Sequence, residues 1–421
     1  MIELAIFGHF DYILNRNGQK IYKKASTVTP PETVMFKREK PRCEEGLLVA
    51  SARLRRGRGA VLVLEDGSVF HGYGFGASRK VPGEVVFSTS MVGYPEALTD
   101  PSYQGQILTL TYPLIGNYGV PPKEAEFGVP LYFESESIKV KGLAIYDLCE
   151  KPYHWASTKS LEAWLTEEEI PGIFGVDTRQ LAEKLRDNGV MLGILEACEI
   201  GEKPDIEKLK REAKSIPGLN LRDLVKEVTI DKPILYGDGG KETIILIDCG
   251  VRYSILRDLL KRRVDVVRVP YDFSAGEVLE YKPKGIVISN GPGDPNKCKK
   301  TVECVQELVA QNIPILGICL GADILALASG GKTYKLKYGH RSQNQPVVDL
   351  ETGRCYITEQ NHGYTVDFGS LKGKDLKVRF INANDKTVEG LKHASRSVLA
   401  LQWYPIDDTE FLLDEFVKRL R

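Results

Sequence analysis

Gly317-Ile318-Cys319-Leu320-Gly321 follows the apolar run Ile313-Pro314-Ile315-Leu316 and precedes Ile324, Leu325, Leu327 and Ala328. The run reads as a short buried strand. The spaced apolar residues read as a helix that stops at Ser329-Gly330-Gly331. Cys319 then lies at a sharp strand-to-helix turn between two glycines, the arrangement of a nucleophile elbow. Such a turn presents a side chain at the top of a sheet and leaves backbone N–H groups free to face it. The helix start also favours negative charge, and hence a thiolate. Most cysteines are simply buried apolar residues. The flanking glycines favour a nucleophile site here.

Upstream of the turn, strands and helices alternate. Ile244-Ile245-Leu246-Ile247 reads as a strand ending at Asp248-Cys249-Gly250, and Ile255, Leu256, Leu259 and Leu260 mark a helix. Residues 264–269 and Gly285-Ile286-Val287-Ile288 read as further strands, and Val302, Val305, Leu308 and Val309 as the helix before the elbow. This alternation implies a parallel sheet covered on both faces, with ligands at the carboxyl ends of its strands. Asp248-Cys249-Gly250, Ser289-Asn290-Gly291-Pro292-Gly293-Asp294-Pro295 and Cys319 all fall there. The glycine loop lacks both dinucleotide-fingerprint spacing and the Gly-Lys-Ser/Thr ending of a P-loop. Its glycines suit close backbone approach to a small ligand or an oxyanion.

Residues 59–231 read as a strand-rich α/β domain. Ala60-Val61-Leu62-Val63-Leu64, Asp66-Gly67 and Val69-Phe70 form a hairpin pattern, and Glu84-Val85-Val86-Phe87 and Gln106-Ile107-Leu108-Thr109-Leu110 read as strands. Residues 93–103 between them read as a turn-rich loop. Asp177 caps an expected helix with Leu181, Ala182 and Leu185 on its apolar face, ended by Asn188-Gly189. Residues 232–241 read as a linker to a second domain, 242–421. Residues 1–58 differ: after a possible strand at Met1-Ile2-Glu3-Leu4-Ala5-Ile6-Phe7 they are basic and proline-punctuated, with Lys23-Lys24, Pro30-Pro31 and Lys37-Arg38. They read as an extension with little to form a core, or as a docking arm for an acidic surface, and not as a secretory signal.

Lys+Arg and Asp+Glu both total 57 among 421 residues, so charge gives no pull toward nucleic acid or membrane, and neither is expected as a partner. No apolar run approaches the ~20 residues of a membrane span. The eight cysteines are scattered without a CxxC pair, and no zinc site is evident, so a reducing cytoplasm is expected and no metal.

The elbow, the glycine loop and Gln360-Asn361-His362-Gly363-Tyr364 resemble class I glutamine amidotransferase domains. Leu62-Val63-Leu64-Glu65-Asp66-Gly67, Leu98-Thr99-Asp100-Pro101-Ser102-Tyr103, Gly116-Asn117-Tyr118-Gly119, Asp177-Thr178-Arg179 and Pro217-Gly218-Leu219-Asn220 are similar to the small subunit of carbamoyl-phosphate synthetase. The likeness runs from about residue 60 to the C-terminus. It implies an N-terminal swivelling β/α domain and a flavodoxin-like amidotransferase domain with a mostly parallel sheet. It also implies hydrolysis of L-glutamine to glutamate and ammonia, with ammonia passing to a large subunit. That subunit uses ATP and Mg to make carbamoyl phosphate for arginine and pyrimidine synthesis, and this chain needs no cofactor. By motif position Cys319 is the nucleophile, and backbone at Gly293 and Leu320 forms the oxyanion hole. Ser102, Gly291, Asp323, Asn361, Gly363 and Tyr364 fall at substrate-binding positions, Ser102 from the first domain.

The resemblance breaks at the triad. Where the family has its His-Pro-Glu stretch, this chain has Tyr404-Pro405-Ile406, and Ala322-Asp323 replaces a family His-Gln. Tyrosine titrates near ~10 and is a poor base at neutral pH. Positioned acid–base catalysis is worth ~10²–10⁴-fold. Asp323 would raise a thiol pKa if charged. Weak or lost glutaminase is therefore expected. The rival expectations are an active glutaminase with a substitute base, His340 or His362 being nearest by motif, and a non-catalytic glutamine-binding module.

Overall fold

The computed structural model describes residues 12–14, 20–22, 58–218, 222–237, 239 and 242–420. The backbone divides into units Met1–Arg55 and Arg56–Arg421. In the first, Tyr12–Leu14 pairs antiparallel with Lys20–Tyr22. The strand expected at residues 1–7 and the basic segments to residue 57 lie outside the described residues, as do Leu219 and Asn220.

The second unit begins with a closed barrel. Its strands run in the order Pro171–Phe174, Val69–Gly76, Gly59–Leu64, Met191–Ala197, Lys80–Ser88, Gln106–Ile115 and Gly142–Leu148, the last pairing back to the first. The period of two along Gly59–Leu64 sets its packing. Ala60, Leu62 and Leu64 join one core with Leu181 and Leu185, while Val61 and Val63 join another with Leu209 and Ala213. The helix Thr178–Asn188 starts as expected, with the Asp177 carboxylate accepting from Gln180 N at 2.8 Å, and ends at Gly189.

Residues 93–103 correct the loop expectation. They form a short helix, Tyr94–Thr99, and a 3-10 turn, Pro101–Tyr103. Gly93 and Pro95, read as breakers, act as starters: Gly93 supplies a positive φ of 81° before the helix, and Pro95 lies in its first turn. This anchors Asp100 and Ser102 firmly, because the Asp100 carboxylate accepts from Ser102 N at 2.9 Å.

A ten-stranded sheet follows. Its centre is parallel, in the order Asp265–Pro270, Thr243–Asp248, Gly285–Ile288, Ile315–Ile318, Val398–Leu401. Antiparallel strands Val388–His393, Leu376–Asn382, Thr333–Asp349 and Cys355–Val366 extend one side. On the other side Ile234–Tyr236 pairs antiparallel with Asp265–Pro270, so the expected linker supplies the edge strand. Ile245, Ile247, Ile286 and Ile288 bury on one face, and Ile244, Leu246, Val287 and Leu316 on the other, as strands covered by helices require.

The elbow is built from close backbone packing. Cys319 has φ 54° and ψ −110°, a conformation costing about 1–3 kcal/mol that the surroundings must impose. A Cβ at Gly321 would overlap the Ile288 carbonyl oxygen, so the helix Leu320–Ala328 can lie on the sheet only with glycine there. Gly321→Ala is expected to lower unfolding free energy by about 1–3 kcal/mol in urea titration, as overpacking does.

Candidate functional site

Cys319 is buried at the start of the helix, with the Leu320 N–H against its sulfur. That N–H and the helix dipole favour a thiolate. They are outweighed. Burial, then Asp323, then Asp100 push the thiol well above its ordinary range. The sulfur's hydrogen-bond partner is the Asn361 carbonyl oxygen at 3.5 Å, an acceptor that also favours the protonated form.

One pocket gathers the expected residues. Ser102, Gly291, Gly293, Cys319, Leu320, Asp323, Asn361, Gly363 and Tyr364 all line it, joined by Glu84, Lys335, Arg341 and His362. His362 was expected near the site by its motif; Glu84, Lys335 and Arg341 were missed, because they lie on strands of unremarkable sequence that only pairing brings to the site. The cavity volume is about 40 Å³, room for water rather than an amino acid, so ligand uptake requires the walls to part.

Tyr404 stands behind the sulfur rather than in the pocket wall. Its hydroxyl donates to Asp100 Oδ2 at 3.2 Å and lies 3.4 Å from Ser102 Oγ. Burial, Asp100 and Cys319 hold the phenol well above its usual range, so it stays protonated. The Asp100 carboxylate also accepts from Asn361 Nδ2 at 3.0 Å, and Asn290 Nδ2 donates to Ser102 Oγ at 3.0 Å. Arg252 lies over the Tyr404 ring, 4.1 Å from its centroid, and bonds Glu359 at 2.6 Å and Glu134 at 3.2 Å. Its position just after Asp248-Cys249-Gly250, at a ligand-side strand end, was the signal that could have found it. Ile406 supplies no carboxylate; it packs against the apolar core beside Phe411.

The histidines are committed elsewhere. His362 Nδ1 lies 2.7 Å from the Tyr364 carbonyl oxygen and 3.4 Å from Gln402 Nε2, and its Nε2 lies 2.9 Å from Gln360 Oε1, so a single ring N–H donates to one of the two oxygens. Burial keeps its pKa well below the usual value, so the ring is neutral. His340 Nε2 bonds Asp385 at 2.9 Å, and Nδ1 lies 3.1 Å from Gln360 Oε1 and 3.2 Å from Glu389. Asp385 and Glu389 hold His340 charged, raising it to about 9 despite burial. Ligand atoms of His340, His362 and Glu389 lie within 4.8 Å of one another, the one grouping with metal-ligand chemistry among the described residues. Its ring nitrogens are already taken up by hydrogen bonds.

Asp323 also differs from expectation. Burial pushes its carboxyl up to about 8, with Asp294 and Glu389 adding to the effect, so it is mostly uncharged at neutral pH. Gln402 Nε2 donates to Oδ2 at 3.2 Å, while buried Oδ1 has no partner.

Two outcomes follow from this geometry. Alkylation of Cys319 by iodoacetamide, followed by mass spectrometry, is expected to be slow at neutral pH and to rise about tenfold per pH unit with no plateau up to about pH 9. Arg252→Ala is expected to cost about 3–5 kcal/mol of stability in denaturant melts, because it strands the buried Glu134 carboxylate and removes the partner of the half-buried Glu359.

Two family models match the chain: the carbamoyl-phosphate synthase small chain, CPSase domain, over residues 62–195, and glutamine amidotransferase class-I over residues 245–407. A carbamoyl phosphate synthase small chain of Methanopyrus kandleri is 46% identical over 367 residues, covering 86% of this chain and 99% of that one. One of Archaeoglobus fulgidus is 47% identical with the same coverage, and one of Pyrococcus furiosus is 46% identical over 85% and 97%. A closed barrel with Ser102, an elbow with Cys319 and relatives at this identity over nearly their full length lead to one assignment: the chain belongs to the carbamoyl phosphate synthase small-chain family, with a class I glutamine amidotransferase domain.

Proposed function

We propose that this chain is a small subunit that joins a carbamoyl-phosphate synthetase large subunit but hydrolyses L-glutamine weakly or not at all. The observation that carries the reading is the state of the Cys319 sulfur: its hydrogen-bond partner is a carbonyl oxygen, and its thiol is held neutral. Amide hydrolysis needs a base to take the thiol proton and an acid to return one to departing ammonia. Tyr404 occupies the family's histidine position, protonated and with its hydroxyl donating to Asp100, and Ile406 occupies the glutamate position. His362 lines the pocket with each ring nitrogen close to an oxygen, Nδ1 to the Tyr364 carbonyl and Nε2 to Gln360 Oε1.

The pocket walls support retention of an amino-acid site. Ser102, Gly291, Asn361, Gly363 and Tyr364 would hold the ligand, and backbone at Gly293 and Leu320, which also line the pocket, would form the oxyanion hole. The large subunit would bring ATP and Mg, and this chain would need no cofactor of its own. Cysteines without disulfides among the described residues favour the cytoplasm.

The test is carbamoyl phosphate formation by the purified two-subunit complex. Ammonium-driven turnover is expected to exceed glutamine-driven turnover by about 10²–10⁴-fold, the worth of positioned acid–base catalysis. Cys319→Ser is expected to leave the ammonium-driven rate unchanged. Equal rates with the two nitrogen sources, or a glutamyl thioester trapped on Cys319, would overturn the proposal.

A further inference from the structure

The pocket beside Cys319 is lined by three residues that each hold a buried polar atom with nothing to bond; Gln106 Oε1 is one, and the other two are of opposite character. One is Asp323 Oδ1, on a residue only 2% exposed. The other is Arg341 Nε, on a residue 6% exposed whose Nη1 donates to the Tyr338 carbonyl oxygen at 2.6 Å. Both residues line the pocket. A buried polar atom without a partner costs roughly 1–3 kcal/mol, so two in one cavity point to a ligand that supplies both partners.

The surroundings of Asp323 say what that ligand carries. From its own helix it faces Cys319, and from the glycine loop Asp294. From neighbouring strands it faces Glu389, Tyr364 and the neutral ring of His362, with Cys298 nearby and Gln402 donating to Oδ2. None of these groups is a cation. The pocket's lysine, Lys335, is paired with Glu84. A carboxyl lodged among acidic and neutral groups lacks a positive charge, and a ligand nitrogen is the means of providing one. Arg341 Nε–H offers the complementary position for a carboxylate.

We infer that this pocket binds an amino acid with a cationic side chain, its carboxylate at Arg341 and its side-chain nitrogen at Asp323 beside Cys319. The inference rests on the reading that glutamine is not turned over here. A neutral carboxamide shares only a hydrogen bond with the uncharged Asp323 carboxyl, whereas an ammonium ion pairs with its ionised form and displaces its proton.

Titration calorimetry of the full chain with L-lysine, L-norleucine and L-glutamine tests this. L-lysine is expected to bind at least about tenfold more tightly than the other two at pH 8.5, a modest value for a buried charge pair. Because Asp323 must ionise, L-lysine affinity is expected to rise about tenfold per pH unit from pH 6 to 7.5 and level off above 8. Near pH 6.5, repetition in buffers of different ionisation enthalpy is expected to show release of about one proton per L-lysine. Asp323→Asn is expected to abolish both the lysine preference and the pH dependence, with folding checked by circular dichroism. Binding of L-glutamine or L-norleucine as tight as L-lysine, or L-lysine binding without proton release in the unmutated chain, overturns the inference. Glutamate release, assayed in the same samples, separates the two readings. Glutamine hydrolysis defeats the proposed function. Absent lysine preference without hydrolysis defeats only this inference.

Discussion

The guanidinium of Arg252, flat on the Tyr404 ring and clamped between Glu134 and Glu359, is the contact on which the site's geometry depends. Glu134 comes from the segment beside the barrel, while Glu359 and Tyr404 come from the open sheet. Arg252 itself caps the helix Tyr253–Lys261, and its N–H donates to Asn290 Oδ1 at 3.0 Å. One cation thus fixes the seam between the two sheets. A buried pair of this kind adds little net stability against an apolar substitute, but its geometry is costly to break. With Arg252 in place, the Tyr404 hydroxyl meets Asp100, and Asp100 in turn meets Asn361 and the Ser102 N–H.

That network bears on the proton affinity of the elbow thiol. An elbow activates a thiol when its helix dipole and backbone N–H groups act together with a base. Here the dipole and the Leu320 N–H are retained, yet burial and two carboxyl groups oppose them. Charge in a low-dielectric site follows the nearest ionisable partners, and the carboxyls of Asp323 and Asp100 lie closer in effect than the dipole. The strained turn at Cys319 is nevertheless preserved, because Gly317 and Gly321 pack against backbone and leave no other path for the chain.

The elbow, the parallel alternation and the hairpin at 59–76 were legible in the sequence, because each rests on a local rule. Apolar period, glycine at a tight turn and a capping aspartate act within a few residues of themselves. Residues 93–103 were misread for the same reason: Gly93 and Pro95 carry one signal as breakers and another as helix starters, and only the surrounding contacts choose between them. The edge strand Ile234–Tyr236 was hidden because three residues cannot show a period, and its exposed Ile234 and Leu235 looked like a linker.

By itself the sequence determined that a nucleophile elbow sits between a two-faced sheet and a helix, and its resemblance put Tyr404 and Ile406 at the positions expected of a base and its orienting carboxylate. Motif order along the chain named nine residues that line one cavity. Tertiary structure decided the rest: that both buried histidines lie against Gln360, one also against Asp385 and the other against the Tyr364 carbonyl, that the Tyr404 hydroxyl donates a hydrogen bond to a carboxylate from the other domain, and that Asp323 and Arg341 each keep an unpartnered polar atom in one cavity. The physical reason is reach. Propensity and patterning act over a few residues, whereas proton affinity is set by whichever charges and dipoles the fold brings within a few ångströms, hundreds of residues apart in sequence.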